Sequence, residues 1–255
     1  MIPCNMKLIV NPKYELLRPF IESIPSVFDE QGTVVYQGRN TIREFFTDNT
    51  HLVVKRFGRM NVLKRVIYSF FRDNKAIRSY RHAEQILQRG FQTPEPIAYI
   101  EERKNGLLSD LYYICCYTKA RDIKSQLIDR EPYNESLLHA YATFVASLHT
   151  HGILHRDLNP TNVLYEVSEH GDYQFTLIDI NRMTFYDGEV PPIKCMHNLT
   201  LFWWLSPVYR AMLDIYAQQR EWSRQDVLKA IRIKEKHDDR WIRRKNFTAI
   251  FKHKI

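Results

Sequence analysis

The 255-residue chain predicts an α+β fold in which a β-rich N-terminal lobe precedes a helical C-terminal lobe. Three observations carry this. Residues 33–57 hold three short runs rich in β-branched and aromatic side chains, and residues 96–118 hold two more. Beyond about residue 118 the apolar spacing changes to a helical period. The composition is 44% hydrophobic and 13% aromatic, which supports a buried core and excludes a disordered chain. Eight glycines and eleven prolines exclude collagen-like and low-complexity chains. The change of pattern divides the chain into residues 1–118, expected to hold a five-stranded sheet with helices, and residues 119–255.

Taken in order, residues 19–24 predict a short helical turn closed by Pro25. Strands follow at 33–37, 40–47 and 51–57, then helices at 62–72 and 75–88. Gly90 and Thr93-Pro94-Glu95-Pro96 end the second helix, since no helix continues through that stretch. Strands at 96–101 and 111–118 flank the polar turn Lys104-Asn105-Gly106. In residues 134–149, Leu137, Leu138, Tyr141, Phe144, Val145 and Leu148 form one stripe, with Asn134 as N-cap and Gly152 as stop. A polar loop at 156–162 leads to strands at 163–167 and 175–178, and then to helices at 198–219, 224–236 and 238–252.

Charge is distributed unevenly. Lys55 to Arg89 holds ten basic residues, Arg59 among them, against Asp73 and Glu84, a local +8 that equals the formal charge of the whole chain. Arg220 to the C-terminus holds twelve basic and five acidic residues, leaving the remainder at −7. Such basic segments attract phosphates or anionic lipid headgroups. No nucleic-acid reader motif accompanies them, so nucleic acid is not expected as a partner. Of the four cysteines, Cys115 and Cys116 are adjacent, Cys4 and Cys195 stand alone, and no C-x-x-C occurs. Reduced thiols in a cytoplasmic protein are expected. Met1 to Leu17 reaches Pro, Lys and Glu too soon for a signal peptide. The apolar stretch 199–217 is interrupted by Pro207, Arg210 and Asp214, so it predicts a core-facing helix rather than a membrane span.

The chemistry concentrates in His155-Arg156-Asp157-Leu158-Asn159-Pro160-Thr161-Asn162, an H-R-D-L-x-x-x-N pattern, followed by Leu177-Ile178-Asp179-Ile180-Asn181. Phosphoryl transfer demands positioning and charge neutralisation. A carboxylate beside the acceptor hydroxyl takes its proton, the role expected of Asp157. An amide oxygen on the same loop reaches a metal, the role of Asn162. A further carboxylate bridges metal and phosphates, the role of Asp179. Mg²⁺ takes such oxygen ligands and retains several waters. Upstream, Leu52-Val53-Val54-Lys55 ends an apolar strand in a lysine that matches the phosphate-contacting lysine of kinases. Between Asn74 and Thr93 the one acid is Glu84, which is paired with Lys55 by elimination. His155 is expected to order the loop, and Arg156 is assigned no chemistry.

These residues resemble the protein-kinase-like superfamily and, within it, the bacterial lipopolysaccharide kinase family of Kdo/WaaP type. The resemblance runs from about Gly32 to Leu201. It rests on Tyr36-Gln37-Gly38-Arg39-Asn40, Val54-Lys55, Arg78-Ser79-Tyr80, Thr93-Pro94-Glu95-Pro96-Ile97-Ala98-Tyr99, the H-R-D-L loop and Leu177-Ile178-Asp179-Ile180-Asn181-Arg182. It implies a bilobal protein-kinase-like fold with the active site in the cleft, with Gly38, Lys55 and Glu84 on the nucleotide. It also implies ATP and Mg²⁺ as cofactors, a sugar hydroxyl of the lipopolysaccharide inner core (Kdo or heptose) as acceptor, and a Gram-negative source. The implied location is the cytoplasm, in peripheral contact with the inner membrane. The basic segments suit an anionic glycolipid beside an anionic membrane.

The chain departs from protein kinases in four places. It has no G-x-G-x-x-G; Ile180-Asn181 replaces Phe-Gly; Asn159 stands where many Ser/Thr kinases carry lysine; and no A-P-E follows Asp179. A peptide-binding platform is therefore not expected. The alternatives are a small atypical protein kinase, a small-molecule phosphotransferase, and a catalytically inactive kinase-like binding module. The intact Lys55, Asp157, Asn162 and Asp179 argue against the last.

Overall fold

The computed structural model describes residues 5–47, 50–58, 61–70 and 72–252. Cys4 and Arg59 of the sequence analysis, and position 71 of the helix expected at 62–72, lie outside the described residues. The chain forms two compact units, Met1–Lys119 with Asp179–Arg182, and Ala120–Ile178 with Met183–Ile255.

The first unit is built on β1 (Asn5–Val10), α1 (Arg18–Val27), β2 (Thr33–Gln37), β3 (Thr41–Thr47), β4 (Thr50–Arg56), α2 (Val62–Phe70), α3 (Lys75–Gln88), β5 (Pro96–Lys104) and β6 (Leu107–Cys116). Its sheet runs β1-β5-β6-β4-β3-β2, antiparallel throughout. That is six strands where five were expected. The extra one, β1, pairs Val10 with Ala98 and Asn5 with Arg103, so its partner lies far along the chain. The Asn105-Gly106 turn joins β5 to β6 with both residues in the left-handed region, φ 54° and 76°, which Asn and Gly accept at low cost.

Side-chain alternation gives this sheet two buried faces. Leu52, Val54, Ile100, Tyr112 and Ile114 pack against Ile21, Ile24 and Phe28 of and beside α1. Val53, Tyr99, Tyr113 and Cys115 pack against Ile77 and Tyr80 of α3. Burial of Ile24 and Phe28 also explains why α1 runs through Pro25 to Val27 rather than stopping before it. The Phe28 amide still reaches the Ile24 carbonyl at 2.9 Å.

α2 meets the first unit's core through Tyr68. Two polar side chains also face the sheet: Arg65 Nε donates to the Leu108 carbonyl at 2.6 Å, and Ser69 Oγ accepts from the Leu108 amide at 3.0 Å. On a helical wheel Val62, Leu63, Val66, Ile67 and Phe70 then share one arc turned away from β6. Val62, Leu63 and Phe70 are 68%, 69% and 65% exposed.

The second unit contains β7 (Arg121–Asp122), α4 (Lys124–Leu127), α5 (Glu135–Thr150), β8 (Ile153–His155), β9 (Val163–Val167), β10 (Tyr173–Leu177), β11 (Met183–Phe185), α6 (Pro192–Leu199), α7 (Pro207–Gln219) and α8 (Arg224–Lys252). Asn134 caps α5 through a 3.0 Å bond from the Leu137 amide. The short strands β7, β8 and β11 are additions to the expected pattern; each is two or three residues long and exists only through its pairing.

Two helical boundaries differ from expectation. The stretch 198–219 breaks, because Ser206 caps a new helix that opens on Pro207, where the missing N–H costs nothing. The segments 224–236 and 238–252 form one helix instead of two. Lys234 and Asp238, one turn apart, meet at 2.7 Å in the interior. The pair is tied to the rest of the unit by bonds from Lys234 to the Thr200 carbonyl and from the Leu205 amide to Asp238. Among the described residues no helix is long and apolar enough to cross a membrane.

Candidate active site

Lys55 lies on β4, paired across the sheet with Ile42 and Tyr113, on the face that looks toward α3. Its Nζ reaches Asp179 Oδ1 at 2.6 Å. Asp179, 124 residues downstream, thus supplies a carboxylate to Lys55 beside the Glu84 with which sequence reasoning paired it. Glu84 is half-buried on α3, and burial raises its carboxyl above the ordinary range, with nearby Arg81 opposing the shift.

Asp179 has φ 52°, in the left-handed region that aspartate tolerates better than most residues. Two contacts hold the segment there. Asn181 Nδ2 donates to Asp179 Oδ1 at 2.8 Å, and His82 Nδ1 on α3 lies 2.7 Å from the Ile180 carbonyl. Burial lowers the His82 pKa, and the bond to Ile180 opposes it. Sequence reasoning gave neither Asn181 nor His82 a role. The signal available was the position of His82 two residues before Glu84, on the same helix.

Gly38 sits in the turn after β2, where its amide donates to the Asn40 carbonyl at 3.0 Å. Asn40 Oδ1 accepts from the Gly58 amide at 3.1 Å. A Cβ at Gly38 would meet only the mobile hydroxyl end of Tyr36, whereas one at Gly58 would overlap the Arg39 backbone carbonyl. Gly58, which the sequence analysis passed over, is the position in this loop where close backbone approach requires glycine.

In the second unit, β8 delivers the H-R-D loop. His155 is buried and takes one tautomer: its Nδ1 accepts from the Asp157 amide at 3.1 Å, so its Nε2 donates to the Ile178 carbonyl at 2.9 Å. Asn162 Nδ2 donates to the Asp157 carbonyl at 2.8 Å, which directs its Oδ1 away as an acceptor. Asn159 reinforces the turn, accepting from the Thr161 amide at 3.0 Å and donating to Asp157 Oδ1 at 3.3 Å. The Asn162 carbonyl accepts from the Ile178 amide at 3.0 Å.

Behind the loop runs a buried chain of directed bonds. Asn198 Nδ2 donates to the His155 carbonyl at 2.8 Å, which leaves Asn198 Oδ1 to accept from His149 Nε2 at 3.0 Å. His149 Nδ1 then accepts from the Tyr216 hydroxyl at 2.8 Å. His149 is neutral, burial pushing its pKa down from 6.5 to about 4. α5, α6 and α7 each contribute one member.

Asn162 in the second unit offers an amide oxygen and Asp179 in the first a carboxylate, both oxygen ligands of the kind a hard divalent cation accepts.

Comparison with known proteins places these features in a family. The model of the lipopolysaccharide kinase (Kdo/WaaP) family matches residues 26–187, a span that takes in Gly38, Lys55, Glu84, Asp157, Asn162 and Asp179. The fold is similar to that of WaaP, solved in complex with acyl carrier protein, with a TM-score of 0.63 and 16% identity over 92% of this chain and 98% of that one. A weaker similarity is to the Rio2 kinase of Chaetomium thermophilum, with a TM-score of 0.47 and 15% identity over 85% of this chain and 75% of that one. In sequence, 158 residues are 26% identical to ribosomal protein S6 kinase 2 alpha of Xenopus laevis, covering 60% of this chain and 21% of that protein. The α+β fold is protein-kinase-like, and the chain belongs to the lipopolysaccharide kinase (Kdo/WaaP) family.

Proposed function

We propose that this protein is an ATP-dependent phosphotransferase that moves the γ-phosphate to a sugar hydroxyl of the lipopolysaccharide inner core, on Kdo or heptose. Residues 1–118 act as the nucleotide-covering lobe and residues 119–255 as the catalytic lobe. The observation that carries the reading is the 2.6 Å contact between Lys55 and Asp179, a strand lysine matched to a carboxylate on the residue that follows Ile178. In this reading Lys55 contacts the nucleotide phosphates, Gly38 and Glu84 belong to the nucleotide site, and Asp157 accepts the proton of the attacking hydroxyl. Asn162 and Asp179 provide the oxygen ligands for Mg²⁺, which when bound neutralises charge on the phosphates. His155 and Asn162 fix the backbone of Asp157, so the base is oriented before substrate arrives.

The acceptor is an anionic glycolipid, and we propose peripheral contact with the cytoplasmic face of the inner membrane through α2. The exposed Val62, Leu63 and Phe70 lie within the segment of net charge +8, the combination by which a surface helix engages anionic lipid.

Mass spectrometry of lipid A-core from cells with and without the gene tests the activity. The expected result is a difference of one phosphate, restored by the wild-type chain and not by Asp157→Ala. Identical core in both cells refutes the assignment.

A further inference from the structure

The second unit contains a cavity of about 400 Å³ whose lining includes Arg156, Thr184, Tyr186, Lys194, His197 and Asn198. Among the described residues no carboxylate lines it. Arg156 and Lys194 are exposed, and neither side chain has a hydrogen-bond or ion-pair partner among the described residues. Two exposed basic side chains and an imidazole thus border one pocket, within a chain that carries −7 outside its two basic segments. A pocket lined by basic groups in this way attracts anions.

The wall is built to hold a shape. Asn198 is buried and its amide is committed on both sides, to His149 and to the His155 carbonyl. Thr184 lies on β11, opposite Leu154 of β8. Arg156 follows β8 directly and precedes Asp157. The volume accommodates a monosaccharide ring with a charged substituent, and a guanidinium beside an ammonium matches the oxygens of a phosphate or carboxylate.

We propose that this cavity is an acceptor subsite that binds the anionic substituent, phosphate or carboxylate, of a sugar, with Arg156 and Lys194 as its principal ligands and His197 as a third. Arg156 stands one residue before the proposed base in the sequence, which puts a ligand of the subsite on the same loop. The identity of the parent molecule rests on the kinase reading; the anion site itself rests on the cavity.

The test uses the full-length protein saturated with the ATP analogue AMP-PNP and Mg²⁺, so that the nucleotide's own phosphates are already placed. Glucose 1-phosphate and glucuronate are titrated separately and followed by NMR of the histidine side chains. Saturable binding of either sugar, with His197 among the perturbed resonances, is the expected result; the sugar that binds more tightly identifies phosphate or carboxylate. K194E weakens that binding at least about tenfold and Lys194→Arg restores most of it. With lipid A-core as acceptor, K194E raises the acceptor KM by a similar factor and leaves the thermal shift by AMP-PNP unchanged. Binding of neither sugar, binding that AMP-PNP displaces, or K194E binding as well as wild type overturns the proposal. Failure of AMP-PNP to bind while a sugar anion still does would instead remove the kinase reading and leave the anion site standing.

Discussion

The candidate residues of the two units are held by different physics. In the first unit, Lys55 and Asp179 meet through one ion pair whose side chains are 15% and 35% exposed. In the second, the loop bearing Asp157 is fixed by neutral, directional bonds that run from Tyr216 through His149 and Asn198 to the backbone of His155. A partly exposed ion pair tolerates small displacements and is screened by salt. A buried chain of neutral donors and acceptors has one arrangement and loses heavily if any member is removed. The contrast suits the proposed roles. Lysine and metal-binding carboxylate adapt to phosphates that arrive and leave, whereas the base is positioned in advance.

The comparison yields a ranked set of expectations. The largest effect belongs to Asp157→Ala, which lowers kcat about 10³-fold or more while nucleotide still binds. A radiolabelled-ATP assay with lipid A-core beside a thermal-shift titration of AMP-PNP separates the two, and turnover that survives would remove Asp157 from its role. Next, Lys55→Met lowers kcat/KM about 10²-fold but leaves Tm within a few degrees, since the pair it breaks is partly solvated. A large Tm loss would show that the ion pair is structural and collapse the contrast.

Asn198→Leu inverts that pattern. It strands the His149 Nε2–H and the His155 carbonyl in the interior and costs about 2–3 kcal/mol. The readout is the urea midpoint, and an unchanged midpoint would mean that the chain is not holding the loop.

The pH dependence follows from His149. Its folded pKa of about 4 lies below the ordinary 6.5, so the unfolded chain binds the extra proton first as pH falls. Its contribution is therefore complete above pH 6.5, declines through the interval down to about 4, and amounts in total to about 3 kcal/mol. Urea unfolding of wild type and His149→Gln between pH 7.5 and 4.5 checks it: the variant starts less stable and varies less over this range. Parallel curves would assign the acid sensitivity elsewhere.

The smallest effect on stability is expected outside both regions, on the exposed arc of α2. V62E/L63E changes unfolding free energy by less than about 0.5 kcal/mol, as surface substitutions do, yet abolishes sedimentation with phosphatidylglycerol vesicles. Retained sedimentation would remove α2 from membrane contact.

What could be read from the sequence was what is decided locally. The Asn105-Gly106 turn, the Asn134 cap and the stripe of α5 each act within a few residues, and each is present. The residues of the H-R-D loop were legible as a motif because their spacing is short. What escaped depends on partners far along the chain. β1 exists through β5, β8 through β11, and the unbroken α8 through the seating of Lys234 and Asp238 on Thr200 and Leu205. The contact of Lys55 with Asp179 escaped for the same reason. His149 was visible at the end of an apolar helix, but its function as a link required Asn198 and Tyr216, both more than forty residues away.

The backbone at Asp179, with φ 52°, bears on how its side chain should be interrogated. Exchanging it for alanine or valine deletes a charge and also asks a residue with no liking for that conformation to occupy it, so lost activity would mix two causes. Asparagine keeps the outline and tolerates the conformation. Asp179→Asn is therefore the clean control, and a gap between its behaviour and that of Asp179→Ala would measure how much of the segment's shape the aspartate maintains.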